Sequence, residues 1–158
     1  MKRALLHTLI IAALIAADQL VKHWARAVLA PAGSRVLIPG LVGLRYTENT
    51  GAAFSMLENA QSLLIVLVIA AIAFILWFGR SFFMGPRLLQ AAILCVVAGA
   101  VGNLIDRLWH GYVTDMFEFL FVRFAIFNVA DIALTAGVVL FVLHTLFRGD
   151  KRAAHRDL

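Results

Sequence analysis

Residues 63–78 read LLIVLVIAAIAFILWF, and this stretch decides the fold class of the chain. No charged residue lies between Glu58 and Arg80, and a helix of that length crosses a hydrocarbon layer of about 30 Å. Hydrophobic residues make up 63% of the 158 residues and charged residues 15%, against roughly 25% charged in an average soluble domain. A soluble globule of this size has too little interior for so much apolar surface. The sequence therefore predicts an integral membrane protein.

Three further segments have the length and apolarity of membrane spans. The last of them, residues 124–147, carries only one charge, Asp131. The first has the basic start of a secretory signal peptide, but its apolar character resumes beyond Asp18 and favours a retained helix. Backbone exposed to lipid must be hydrogen-bonded within its own segment, so all four segments are predicted to be helices. We expect one membrane domain over residues 1–158, with spans at about 4–28, 61–79, 87–105 and 125–147 and outer loops at about 29–60 and 106–124.

The two outer connections differ from the short inner one. Residues 29–60 contain prolines and glycines around two strand-like pieces, 35–38 and 41–46, and the second connection carries the aromatic run 117–121. A small β-sheet on the outer face of the membrane is therefore expected. The predicted fold class is an all-α membrane protein with four transmembrane helices and a small extracytoplasmic β-sheet.

The distribution of charge orients these spans. If both termini are cytoplasmic, eight of the 14 Lys and Arg residues lie inside and six outside, as the positive-inside rule favours. Seven of the nine acidic residues then fall in the outer half, where we expect the chemistry. The basic tail at residues 148–156 suits anionic lipid headgroups. Nucleic acid is not an expected partner, because no basic and aromatic platform accompanies the tail.

Asp131 is the clearest candidate for chemistry. It is expected about eight residues into the last span, or roughly 10 Å along the helix, where a lone charge costs at least about 2.5–3.5 kcal/mol. Asn128 and Thr135 share its helix face, and Asp115 precedes that span in an outer loop that can fold back. Two adjacent carboxyls retain one proton near neutral pH, so that one can activate water while the other polarises a carbonyl. This arrangement is typical of aspartic proteases.

Other interpretations stay open on the residues alone. Asp131 can form a structural ion pair with Arg107 or Arg123, with Asp115 a solvated loop acid. Asp131 can also serve as the relay of a small transporter or proton-conducting protein. A noncatalytic membrane adaptor is the third alternative.

Polar residues in two other segments suggest a wider site. Gly99, Asn103 and Arg107 lie at spacings of four and share a helix face, where Asn103 can hydrogen-bond across a close helix contact. Asp18 and Lys22 are also four apart and predict an ion pair, which either neutralises itself or contacts a substrate.

Metal and nucleophile chemistries find weaker support. His110 and three nearby acids are candidate metal ligands, but no histidine pair at helical spacing accompanies them. Those acids are Asp106, Asp115 and Glu118. Cys95 has no histidine in its segment, and no serine lies in a Gly-x-Ser-x-Gly setting. We therefore expect neither a metal nor a cofactor.

Taken in chain order, the polar clusters resemble the motifs of the bacterial lipoprotein signal peptidases (signal peptidase II). The matching stretches are Asp18-Gln19-x-x-Lys22, Asn49-Thr50-Gly51-Ala52-Ala53-Phe54-Ser55, Gly99-Ala100-x-Gly102-Asn103-x-x-Asp106-Arg107 and Phe127-Asn128-x-Ala130-Asp131. Each motif is weak alone, but four in series over nearly the whole chain are specific. One position departs from the family, whose loop acid is usually followed by phenylalanine, whereas Met116 follows Asp115 here.

The resemblance implies an aspartic endopeptidase of the bacterial inner membrane. It would remove the signal peptide of a prolipoprotein immediately before a cysteine that carries diacylglyceryl, near the periplasmic face. Asp115 and Asp131 would be the catalytic pair, and the outer sheet would be a cradle for the lipidated end of the substrate. The expected partners are diacylglyceryl-modified prolipoproteins and membrane lipid, and the enzyme is expected to be a monomer. The residues expected to bind substrate or support the cleft are Asp18, Lys22, Asn49, Gly51, Asn103, Arg107, Asn128 and Ala130.

Overall fold

Four long helices form the body of the protein in the computed structural model, which describes residues 2–51 and 60–153. Positions 52–55 of the outer-loop motif, Glu58 and the end of the basic tail beyond residue 153 lie outside the described residues. All four helices are long and apolar enough to cross a membrane, which confirms the predicted fold class. The helices are α1 (Lys2–Trp24), the short α2 (Ala30–Ala32), α3 (Gln61–Phe78), α4 (Arg87–His110) and α5 (Val129–Ala153).

Helix α4 is the centre of the bundle. Half of its span is buried inside the protein, compared with 6% for the first and second spans and 11% for the last. It contacts α1, α3 and α5, while α1 also contacts α5. Large apolar side chains of the outer helices, such as Trp77 and Phe147, are left exposed where a membrane would contact them. Polar residues on α4 are therefore held between helices and away from lipid.

Three of the four long helices differ in their bounds from the expected spans. The first helix continues through a π-helical turn, Ala25–Leu29, to Ala32. Helix α4 runs past residue 105 to His110 because the charges in its last turns find partners inside the protein; it ends at Gly111, whose φ of 78° suits a helix C-cap. The last helix begins at Val129 and not at 125, because the preceding residues pair with a strand. The link between α3 and α4 contains a 3₁₀ helix, Gly79–Met84.

A three-stranded antiparallel sheet lies at the end of the bundle where α1 and α4 end and α3 and α5 begin. Its strands are β1 (Arg35–Ile38), β2 (Val42–Asn49) and β3 (Val113–Phe119), in that order. The Phe117 N–H donates to the Phe127 carbonyl at 2.8 Å, and the Phe127 N–H donates back at 3.0 Å. This pairing brings the middle of β3 beside the start of α5.

Gly102 marks the point where α1, α4 and α5 approach closely. A Cβ atom at this position would lie 2.6 Å from Asp18 Oδ2 and 3.3 Å from the Ala130 Cβ. Gly102→Ala is therefore expected to lower the free energy of unfolding by about 1–3 kcal/mol, because the helices must separate. Thermal unfolding in detergent measures this, with Leu108→Ala on the exposed side of α4 as the control. Equal melting temperatures for the two variants would contradict the close approach.

Candidate active site

Asp131 is held by the first turn of α5. Asn128 precedes the helix and its Oδ1 accepts the Asp131 N–H at 3.0 Å, while Asp131 Oδ2 accepts the Asn128 N–H at 3.1 Å. This reciprocal arrangement is that of a capping box, and a carboxylate is favourable at a helix N-terminus. The expected depth of eight residues into the helix is wrong, because the helix begins only at Val129, after the pairing of Phe127 with β3. Asp131 is the third residue of α5.

Asp115 reaches the same place from β3. Strand pairing sets it opposite Thr47, and its side chain is only 2% exposed. Its Oδ1 accepts the Asn128 Nδ2–H at 2.6 Å, and its Oδ2 accepts the Asn49 Nδ2–H at 3.0 Å. The pKa of Asp115 is raised to about 6, chiefly by burial. The charge of Asp131 also raises this pKa, whereas the hydrogen bonds from Asn49 and Asn128 lower it. Asp115 is therefore much easier to protonate than an ordinary aspartate.

Two asparagines connect the carboxyl groups. Asn103 donates from Nδ2 to Asp131 Oδ1 at 2.8 Å, and its own Oδ1 accepts from Asn128 Nδ2 at 3.2 Å. Both acids line one cavity of about 680 Å³. No arginine lies within ion-pair distance of either acid in the described part of the chain, so the structural pair of Asp131 with Arg107 or Arg123 is not observed.

Arg107 extends the site toward the outer loop. Its guanidinium donates to the Gly51 carbonyl at 2.9 Å and to the Asn103 carbonyl at 3.4 Å, and the side chain lines the cavity. The Gly51 N–H donates in turn to Asn49 Oδ1 at 3.0 Å, which leaves the Asn49 amide nitrogen facing Asp115. The outer-loop residues thus orient one donor to the acid pair.

A buried cluster of charged residues on α1 and α4 lies next to Asn103, outside the cavity. Lys22 Nζ lies 3.0 Å from Asp18 Oδ2 and 3.5 Å from Asp106 Oδ2, so the expected pair of Asp18 with Lys22 is present. Asp18 Oδ1 also accepts the Ala130 N–H at 2.8 Å, which ties α1 to the start of α5. Asp18 is 2% exposed and Lys22 is fully buried, so the pair has no surface with which to contact a substrate. The two acids and the eight residues expected to bind substrate or support the cleft all lie in this network or in the cavity wall.

Sequence reasoning missed Arg26 and Thr114. Arg26 donates to Thr114 Oγ1 at 2.8 Å and lies 3.5 Å from Asp106 Oδ1. The sequence does indicate the position of Arg26, because it follows Asp18 and Lys22 at the same spacing of four and so shares their helix face. The apolar wall of the cavity was also missed, since scattered aromatic residues carry no motif. It is formed by Val113, Phe119, Phe124, Ile126, Phe127, Ile132, Leu134 and Val139 among others.

The acids proposed as metal ligands have other partners. Asp106 is held by Lys22, Arg26 and the Thr114 N–H. Glu118 forms an ion pair with Arg45 at 3.1 Å. Within residues 2–51 and 60–153, no three His, Cys, Asp or Glu side chains are arranged to hold a metal ion.

Known proteins resemble the chain in sequence and in fold. Residues 10–147 match the family model described as signal peptidase (SPase) II. The lipoprotein signal peptidases of Streptococcus pyogenes serotype M5 (strain Manfredo) and serotype M18 (strain MGAS8232) are each 42% identical to this chain over 133 residues. The aligned region covers 82% of this chain and 86% of each relative.

Two solved structures of bacterial membrane enzymes, determined by the in meso method at 2.3 and 1.9 Å resolution, share the fold. Their TM-scores are 0.81 and 0.77, and their sequence identities are 28% and 29%. The match to the 2.3 Å structure covers 92% of this chain and 90% of the other chain. The match to the 1.9 Å structure covers 89% of this chain and 92% of the other chain. Because the family model spans most of the chain and the relatives exceed 40% identity, the chain belongs to the signal peptidase II family of proteases.

Proposed function

We propose that Asp115 and Asp131 are the catalytic pair with which this membrane protease removes the signal peptide of a prolipoprotein. The bond cleaved is the one immediately before the diacylglyceryl-modified cysteine. One observation carries the assignment: acids from β3 and α5 line a single cavity and share Asn128 as a hydrogen-bond partner. Membership of the family supports prolipoproteins as the substrates and does not favour a transporter that uses Asp131 as a relay.

The chemistry follows from one proton shared between two carboxyls. The ionised member accepts a proton from water as the water oxygen bonds to the scissile carbonyl carbon, and the protonated member donates to the carbonyl oxygen. A proton then passes to the leaving amine as the C–N bond breaks. The raised pKa of Asp115, about 6, suits it to hold the shared proton in mildly acidic solution.

The remaining residues bind substrate or hold the pair. Asn103 and Asn128 orient the carboxyl groups. Arg107 lines the cavity, and we assign its guanidinium to a carbonyl of the substrate. The aromatic and aliphatic cavity wall fits the apolar signal peptide and the acyl chains.

The proposed setting is the bacterial inner membrane, with both termini cytoplasmic and the acid pair near the periplasmic face. The excess of Lys and Arg on the inner side supports this orientation. We propose a monomeric enzyme in contact with anionic membrane lipid, needing neither metal nor cofactor for hydrolysis.

The pH dependence of cleavage tests the assignment of the shared proton. Asp115 loses its proton near pH 6, so kcat/KM is expected to fall about tenfold per pH unit above that value. The apparent value belongs to the coupled pair. Purified enzyme and a diacylglyceryl-modified precursor give the profile, and the product masses identify the bond. A rate independent of pH between about 5 and 8, or cleavage at another bond, would contradict the proposal.

A further inference from the structure

Lys22 occupies the centre of the buried charge cluster but reaches the acid pair only through Asn103. Its ammonium has three N–H groups and accepts nothing. The acceptors around it are Asp18 Oδ2 at 3.0 Å, Asp106 Oδ2 at 3.5 Å and Asn103 Oδ1 at 2.8 Å. The shortest of these contacts goes to the neutral amide and not to a carboxylate. Because Lys22 is fully buried, its effect on the reaction must pass through its neighbours.

The contact with Lys22 decides which way the Asn103 amide points. With Oδ1 held by Lys22 and by the Asn128 amide, Nδ2 faces Asp131 Oδ1 at 2.8 Å. In the reversed orientation, the amide N–H would meet the Lys22 ammonium, and the amide oxygen would meet the Asp131 carboxylate. Both contacts would then join like partners, a donor to a donor and an acceptor to an acceptor.

We propose that Lys22 is a positioning residue, which holds the Asn103 amide oxygen and so keeps the Asn103 N–H donated to Asp131. The inference rests on the catalytic role proposed for the acid pair. It adds that a buried cation on α1 sets the geometry of a carboxyl group on α5, with Asn103 on α4 between them.

Lys22 also contributes charge, and the test must separate charge from orientation. The buried cluster of Asp18, Asp106, Lys22 and Arg26 is neutral in sum, so the loss of Lys22 alone leaves one extra negative charge beside the pair. Among the described residues, Arg107 on α4 is a further charged group that interacts with both acids.

Two double variants isolate the hydrogen bond at constant charge. Lys22→Gln/Asp18→Asn and Lys22→Met/Asp18→Asn each remove one cation and one anion. Glutamine keeps an N–H for the Asn103 oxygen, whereas methionine has a similar size and no donor. We expect similar melting temperatures and KM values, with kcat of the methionine variant at least about tenfold lower, as for loss of a positioning contact. Equal kcat values would overturn the proposal, because a purely structural role predicts no difference.

The single variants Lys22→Gln and Lys22→Met, assayed in native membranes, decide the question if either double variant fails to fold. Loss of the Lys22 charge raises the pKa of Asp115, so both pH profiles should move to higher pH by the same amount. Only the methionine variant should also lose kcat at its own optimum, and equal kcat at the optimum would again overturn the proposal. If Asp115→Asn and Asp131→Asn are inactive while glutamine and methionine are equivalent, the inference on Lys22 fails and the proposed function stands. If both Asp variants retain cleavage, the proposed function itself fails.

Discussion

Asp115→Asn and Asp131→Asn should each lower kcat for prolipoprotein cleavage by about 10³-fold or more. Asparagine keeps the size of the side chain but can neither hold the shared proton nor accept one from water. The protein should stay folded, because the helices around the site pack through other residues. Single-turnover assays give the rate, and thermal unfolding of the same samples verifies the fold.

The matched control is Glu118→Gln, the same acid-to-amide change on the same strand. Glu118 pairs with Arg45 and is not part of the cavity wall, so near-native turnover is expected. The variant that carries both Asp changes should be no slower than either single variant, because the two carboxyls act as one unit. Native turnover by either single variant would refute the pair.

Asn128→Ser should lower kcat by about 100-fold. Serine still supplies an oxygen that caps α5. Alanine does not, and the loss of the cap lowers the free energy of unfolding by about 1 kcal/mol. Its hydroxyl is too short to reach Asp115, so the 2.6 Å bond from the amide and the link to Asn103 are both lost. The two carboxyls then lose their common partner, and the productive geometry is populated less often.

Asn128→Ala separates the two functions of this residue. We expect it to match Asn128→Ser in kcat but to unfold at a lower temperature, since only the cap differs between them. Steady-state kinetics and thermal unfolding on both proteins measure the two effects. A serine variant with native kcat would show that the bridge between the acids is dispensable.

The spans could be predicted from the sequence because hydropathy reports directly on the solvent that a segment requires. The pairing of Asp18 with Lys22 was also accessible, since a spacing of four fixes neighbours on a helix. The depth of Asp131 was not. Residues just before Val129 are apolar enough for a helix, but Phe127 pairs with β3 and the helix begins after it.

From the amino-acid sequence alone it was possible to predict a four-span membrane protein, the two acids proposed as its catalytic pair and the family that their motifs resemble. These are properties of composition and of short spacings, which helix geometry converts into faces. Packing in three dimensions was needed to show that Asn128 hydrogen-bonds to both Asp115 and Asp131, and that Lys22 contacts Asn103, which donates to Asp131. Those contacts depend on how α1, α4 and α5 cross at Gly102 and on the strand pairing of Phe117 with Phe127, and packing between distant segments sets both.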